Sequence, residues 1–104
     1  MKIKIEPLTE NLLTFMRRVG YTFQRAEGVE QSFIRELARG GYPRFHVYVK
    51  VEKMTGFINL HLDHKRHTYG ENTRHHGEYT YTGAVKEETD RLLTLFGESA
   101  TIVQ

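Results

Sequence analysis

The chain has 104 residues, of which 38% are hydrophobic and 27% charged, a composition ordinary for one small soluble domain. Its 15 Lys and Arg against 13 Asp and Glu give a formal net charge of +2. This excess of positive charge is smaller than we would expect of a protein that coats nucleic acid. The absence of cysteine excludes a disulfide scaffold, a thiolate zinc site and a cysteine nucleophile. The longest stretch without Asp, Glu, Lys or Arg, 54–62, is too short to span a membrane.

We expect no targeting segment at either end of the chain. Residues 1–7 include neither the apolar segment of a signal peptide nor a lipidation motif, so we expect a cytoplasmic protein with no membrane partner. No repeat, low-complexity tract or linker interrupts the chain, which predicts a single domain over 1–104. Residues 98–104 are mostly small, and we expect them to be a frayed tail.

The first twenty residues predict a short strand and a helix. Residues 2–5 alternate Lys with Ile, as a short edge strand would. From Leu8 to Val19 apolar residues recur at helical spacing, which predicts an amphipathic helix. Pro7 suits the first turn of that helix, and Gly20 suits the position just after its end.

The next segment is ambiguous. Residues 21–26 are rich in aromatic and β-branched side chains and predict a strand. Residues 29–39 fit either a helix or the returning arm of a hairpin that turns at Glu27-Gly28. We favour the hairpin, because a lone strand needs a neighbouring partner.

The clearest pattern is an antiparallel hairpin over 44–65, in which apolar and polar residues alternate on both sides of a short turn at 54–56. A loop of even length keeps both apolar sets on one face. A four-residue loop would place Tyr48 opposite His61, whereas a two-residue loop shifts the pairing by one step and leaves the faces unchanged.

After the hairpin we predict a polar loop over 66–77, a short strand over 78–82 and a last helix that starts at Thr82 or Gly83 and ends at Gly97. The fold class that follows is a small α+β domain. It has an antiparallel sheet of about four strands with an N-terminal and a C-terminal helix packed on one face. Open sheet edges are a general reason to expect a homodimer.

Histidine is unevenly distributed, since five of the six histidines lie between His61 and His76. The hairpin pattern places several polar side chains on one face: Arg44, His46, Tyr48, Lys50, Asn59, His61, Asp63 and Lys65. His64 is expected on the opposite, apolar side, where it would pack rather than bind.

A divalent metal such as zinc is the sharpest ligand hypothesis, because imidazoles and carboxylates bind such ions at about 2 Å. His61 and Asp63 are two residues apart on a strand and therefore project from one face. The candidate ligands are His46, His61, Asp63, His75 and His76. No spacing in the chain matches a known zinc motif. Solvated side chains on the wet face of an antiparallel sheet are the simpler alternative.

A single-stranded nucleic acid is the main competing ligand, because basic and tyrosine side chains share this region. The residues for such a ligand are Arg44, Tyr48, Lys65, Arg66, Arg74, Glu78 and Tyr79. No known RNA-binding motif appears, and Glu52 and Asp63 lie among the basic residues, so nucleic acid is not favoured.

A hydrolase with a His/Asp acid–base pair is the third hypothesis, in which Asp63 orients His61. The chain has few serines, which makes a Ser-His-Asp triad a poor explanation. We therefore expect a non-enzymatic module that binds a small ligand or a divalent metal. Its site would combine the polar face of the 44–65 hairpin with the 66–79 loop.

Overall fold

The computed structural model describes residues 1–64 and 83–103, in which six strands form one antiparallel sheet and two α-helices pack beside it. The elements are β1 (Lys2–Ile5), α1 (Leu12–Arg18), β2 (Thr22–Glu27), β3 (Glu30–Glu36), β4 (Arg44–Glu52), β5 (Thr55–Asp63), α2 (Ala84–Phe96) and β6 (Ala100–Val103). The sheet order is β2-β3-β4-β5-β1-β6. The loop predicted over 66–77 and the strand predicted over 78–82 lie outside the described residues.

The α+β class and the antiparallel sheet are confirmed, but the expected number of about four strands is wrong. β1 is not an edge strand, because it pairs with β5 on one side and with β6 on the other. Residues Ala100–Val103, expected to be part of a frayed tail, form strand β6 instead. They pair with β1 and so provide hydrogen-bond partners for its backbone N–H and C=O groups. Neither helix is therefore terminal: β1 precedes α1, and β6 follows α2.

Helix α1 is shorter than the apolar spacing predicted. Asn11 is its N-cap, and the Asn11 side chain accepts a hydrogen bond from the backbone N–H of Thr14 at 2.9 Å. Pro7 and Leu8 therefore precede the helix instead of forming its first turn. The C-terminal end of α1 is as expected. Gly20 follows the helix with a φ of +110°, a conformation that glycine adopts at little cost.

Helix α2 confirms the predicted boundaries, since Gly83 precedes it and Gly97 ends it. Both helices cover the same side of the sheet, and the Phe96 ring of α2 stacks on the Phe15 ring of α1 with centroids 4.0 Å apart. The core lies between these helices and the apolar sheet face. Its largest fully buried side chains include Ile3, Leu12, Met16, Phe33, Ile58, Leu60 and Leu92.

Both predicted hairpins are present. β2 and β3 turn at Gly28, so the segment that was ambiguous between helix and strand is a strand. β4 and β5 are joined by a two-residue turn at Lys53-Met54, in which Lys53 adopts a positive φ of 57°. Of the two loop lengths considered, the shorter one is found, and it pairs His46 with His61.

A buried carboxylate ties α2 to the strands. The Glu88 side chain is 3% exposed and accepts a hydrogen bond from the Tyr21 hydroxyl at 2.5 Å. Arg35 of β3 donates to Glu88 at 3.1 Å, and Arg91 donates two hydrogen bonds to it at 2.8 Å. Burial, followed by the charge of Glu88, raises the pKa of the Tyr21 hydroxyl, which therefore stays a donor. These hydrogen bonds and the two arginine charges offset the cost of removing the carboxylate from water.

Replacing this carboxylate tests its role in stability. We expect Glu88→Gln to lower the free energy of unfolding by about 3 kcal/mol, because the half-buried Arg35 and Arg91 side chains lose the buried carboxylate that pairs with them. Glu87→Gln is the matched control, since Glu87 is the exposed neighbour on the same helix, and its effect should stay within about 0.5 kcal/mol. Urea unfolding followed by circular dichroism measures both. Equal stability of the two variants would contradict the assignment.

Candidate ligand-binding site

The sheet face opposite the helices gathers the hairpin residues that the sequence predicted to share a side. In the β4–β5 register Arg44 lies opposite Asp63, His46 opposite His61 and Tyr48 opposite Asn59. Directly opposite residues on neighbouring antiparallel strands have Cβ atoms about 5 Å apart, so these side chains contact each other. We call Arg44, His46, Tyr48, His61 and Asp63 the histidine cluster.

The Asp63 carboxylate contacts two other members of the histidine cluster. Its Oδ2 accepts hydrogen bonds from Nδ1 of His46 at 3.3 Å and from Nε of Arg44 at 3.4 Å. The Arg44 guanidinium is itself placed over the Tyr42 ring, 4.5 Å from its centre. Burial by itself raises the pKa of the Asp63 carboxyl, but the hydrogen bonds from His46 and Arg44 outweigh it and hold that pKa below its usual value.

His46 is the most buried member of the cluster, with 8% of its surface exposed. When Nδ1 donates to Asp63, Nε2 is the ring nitrogen that is left to accept a hydrogen bond or to bind a ligand. This Nε2 is buried and has no hydrogen-bond partner among the described residues. A buried polar atom without a partner costs free energy unless a ligand satisfies it, so Nε2 marks a place where a ligand would be stabilising.

His61 lies beside this nitrogen. Its ring centre is 5.5 Å from that of His46, and the two ring planes are inclined at 59°. Burial lowers the pKa of His61, and the charge of Asp63 opposes this effect only in part. His61 is therefore a neutral imidazole at physiological pH. The Tyr48 ring contacts both histidines, with centroids 4.6 Å from His46 and 5.5 Å from His61.

The contacts within the histidine cluster differ from those that the sequence predicted. Asp63 was expected to share a ligand with His61, but its hydrogen bonds go to His46 and Arg44. His64 was expected to pack on the apolar side; this is wrong, because β5 ends at Asp63 and His64 is exposed. The remaining candidates lie outside the described residues: Lys65, Arg66, Arg74, His75, His76, Glu78 and Tyr79. Within 1–64 and 83–103, no three His, Asp or Glu side chains converge to hold a metal ion.

The charges on this sheet face are largely paired. Lys4 contacts Glu6 at 3.1 Å, and Lys50 contacts Glu52 at 3.3 Å. Arg25 of β2 is hydrogen-bonded to Glu27 at 2.5 Å. Each pair reduces the positive potential that a nucleic-acid backbone would meet.

Sequence reasoning missed the contribution of the strands outside the central hairpin. Lys2 lies opposite Asn59, which brings β1 onto the polar face, and Glu30 of β3 lies along the same face beside Tyr48. The alternation of Lys and Ile in residues 2–5 was the available signal for Lys2. It indicated a strand but not where in the sheet that strand would lie.

Comparisons with protein-family models, curated proteins and solved structures find no significant match to this chain. Neither helix in the described part of the chain has the length and hydropathy needed to cross a membrane.

The lowered pKa of His61 predicts a pH-dependent stability. The unfolded chain takes up a proton on this imidazole at a higher pH than the folded chain, so the free energy of unfolding falls as the pH drops from about 7 to about 5. We expect His61→Gln to reduce this fall, whereas Asn59→Gln, which changes an exposed residue of the same strand that does not titrate, should leave it unchanged. Urea unfolding at both pH values, with a metal chelator present, measures the difference. The hypothesis fails if both variants retain the wild-type pH dependence.

Proposed function

We propose that this chain is a non-enzymatic binding module that uses the polar sheet face, and that a divalent transition-metal ion binds between His46 and His61. The observation that carries the proposal is the buried Nε2 of His46, which has no hydrogen-bond partner among residues 1–64 and 83–103 and lies beside the neutral ring of His61. A neutral imidazole with a free lone pair is the form in which histidine binds metals.

The ring spacing supports one shared ion. A metal about 2 Å from a ring nitrogen lies about 3 Å from the centre of that ring, so two imidazoles that share an ion have centres about 5 Å apart. The rings of His46 and His61 are separated by 5.5 Å, which needs only a small adjustment. Because the two residues are directly opposite on paired strands, the backbone already holds them at this distance.

The hydrogen bond from His46 to Asp63 gives the carboxylate an orienting role. Metal-bound histidines commonly donate their second ring N–H to a carboxylate, which selects the tautomer and makes the other nitrogen a better ligand. Asp63 is in this position, and Arg44 keeps it ionised. Two imidazoles are borderline ligands suited to zinc, copper or nickel, with water in the remaining positions.

Calorimetric titration with Zn²⁺ tests the proposal. Wild-type protein should show one site that weakens at least about tenfold in His46→Ala and in His61→Ala, because each variant removes one of two ligands. Asp63→Asn should weaken the site by about 10- to 100-fold, although Asp63 does not touch the ion.

The matched control is His64→Ala, which removes an exposed histidine next to the cluster and should leave this site unchanged. Circular dichroism and urea unfolding establish that each variant is folded. The absence of zinc binding by wild-type protein would refute the proposal. So would binding that the His46 and His61 variants retain.

The alternative functions have less support from the described residues. The ion pairs on the polar face weaken the case for single-stranded RNA or DNA. The Asp63–His46 pair has the geometry of an oriented general base, which is what a hydrolase would use. However, Ser32, which lies on this face, donates its hydroxyl to Gln24 at 3.0 Å and is not aligned with His46. We therefore favour binding over hydrolysis.

A homodimer stays a prediction. The outer strands β2 and β6 leave backbone groups available for pairing, and most β2 side chains are exposed. This is a general property of open sheets and identifies no particular partner.

A further inference from the structure

A second concave site lies on the polar sheet face beside the histidine cluster and has Tyr48 in common with it. It has a volume of about 190 Å³ and is lined by Lys2, Glu30, Tyr48, Lys50, Glu52, Phe57 and Asn59. We call it the Tyr48–Phe57 depression. From its lining we propose that it binds a nucleoside monophosphate, with the base between the two rings and the phosphate at Lys2.

The strand register gives Tyr48 and Phe57 a spacing that would suit a flat ligand. Tyr48 lies opposite Asn59, and Phe57 is two residues before Asn59 on β5, so Tyr48 and Phe57 are diagonal neighbours on one face. Diagonal neighbours in an antiparallel sheet have Cβ atoms about 7 Å apart, which is about twice the contact distance of about 3.5 Å between stacked carbon atoms. With both rings standing up from the sheet, a planar base would have room between them and contact on both sides. Base–aromatic stacking is the usual way in which a sheet face holds a base.

The charges are arranged for a ligand with two different ends. Lys50 and Glu52 contact each other at 3.3 Å and largely neutralise one another at the rim. Lys50 also lies over Phe57, with its Nζ 5.7 Å from the ring centre. Lys2 and Glu30, in contrast, form no ion pair among the described residues, and they lie on opposite sides of the Tyr48–Phe57 depression, on β1 and β3.

These two side chains select the orientation of the ligand. The Lys2 ammonium is positioned to contact an anionic group, and the Glu30 carboxylate to accept hydrogen bonds from N–H groups. A nucleotide has this pattern, since its phosphate and the amino or imino groups of its base are at opposite ends. Asn59, exposed between them, adds an amide that both donates and accepts. Tyr48 remains a neutral hydroxyl because burial, together with the charge of Glu27, raises its pKa.

The test is a calorimetric titration of the full chain with AMP, GMP, CMP and UMP, at low ionic strength and with a chelator present. At least one nucleotide should bind wild-type protein with a dissociation constant below about 1 mM. Phe57→Ala should weaken this binding about tenfold, because one stacking surface is lost. Arg17→Gln is the control, since Arg17 is an exposed residue of α1 on the covered side of the sheet, and it should bind as wild type does.

A second comparison isolates the phosphate contact. Wild-type protein should bind the nucleotide at least about fivefold more tightly than the corresponding nucleoside, and Lys2→Gln should abolish most of that difference. Because the two ligands are compared on the same folded variant, a general loss of stability in Lys2→Gln does not produce this result. The chelator keeps metal away from the histidine cluster, so nucleotide binding under these conditions tests this proposal separately from the metal site.

Three outcomes would overturn the proposal. The first is no binding of any nucleotide by wild-type protein up to about 10 mM. The second is binding that Phe57→Ala and Lys2→Gln leave intact. The third is that a single-stranded oligonucleotide binds with steep salt dependence while no free nucleotide does, which would support the nucleic-acid alternative instead.

Discussion

The pairing of β4 with β5 is the constraint on which the candidate site depends. Val47 and Leu60 face each other across this pair and are fully buried under the helices. Because side chains alternate with a period of two, a slip of one residue would move these apolar groups into water and bring the polar set into the core. Burial on the helix side therefore keeps His46 and His61 aligned on the other side, and the two-residue turn at Lys53-Met54 permits only this register.

Two carboxylates, one on each side of the sheet, organise their surroundings in the same physical way. Glu88 is buried on the helix side and joins α2 to β3 through Arg35, while Asp63 on the polar side holds Arg44 and His46. In both places an arginine donates hydrogen bonds to the carboxylate and compensates its negative charge. Glu88 joins a helix to the sheet, whereas Asp63 orients the His46 ring, whose Nε2 has no hydrogen-bond partner in the part of the chain that the structure describes.

The two proposed sites are adjacent and share Tyr48. The Tyr48 ring contacts both histidines, and Tyr48 also lines the depression that contains Phe57. In the described part of the chain both helices pack on the other side of the sheet, so the two sites use side chains that the core does not need. The metal site depends on imidazole nitrogens of His46 and His61 that are available to bind an ion. The nucleotide site depends on the charges of Lys2 and Glu30, which form no ion pair among the described residues. The two sites therefore differ in what binds the ligand, although both include Tyr48.

The amino-acid sequence by itself determined the features that local patterns encode. Alternation over 44–65 predicted the central hairpin and which residues share its polar face, and the glycines at 83 and 97 marked the ends of α2. Such patterns arise from side-chain periodicity and from backbone conformations that few residues adopt, and both act within a few residues. Residues 2–5 and 100–103 are too short for periodicity to show where they belong, so only the folded chain placed β1 between β5 and β6.

The tertiary structure also decided the partners within the site. On one strand, His61 and Asp63 are about 7 Å apart, whereas residues on a neighbouring strand lie about 5 Å away. Asp63 therefore bonds to His46 and Arg44 across the ladder, and His61 faces His46. The sequence identified the residue types and their common face; the strand register decided which of them meet, because contacts across a sheet are shorter than contacts along a strand.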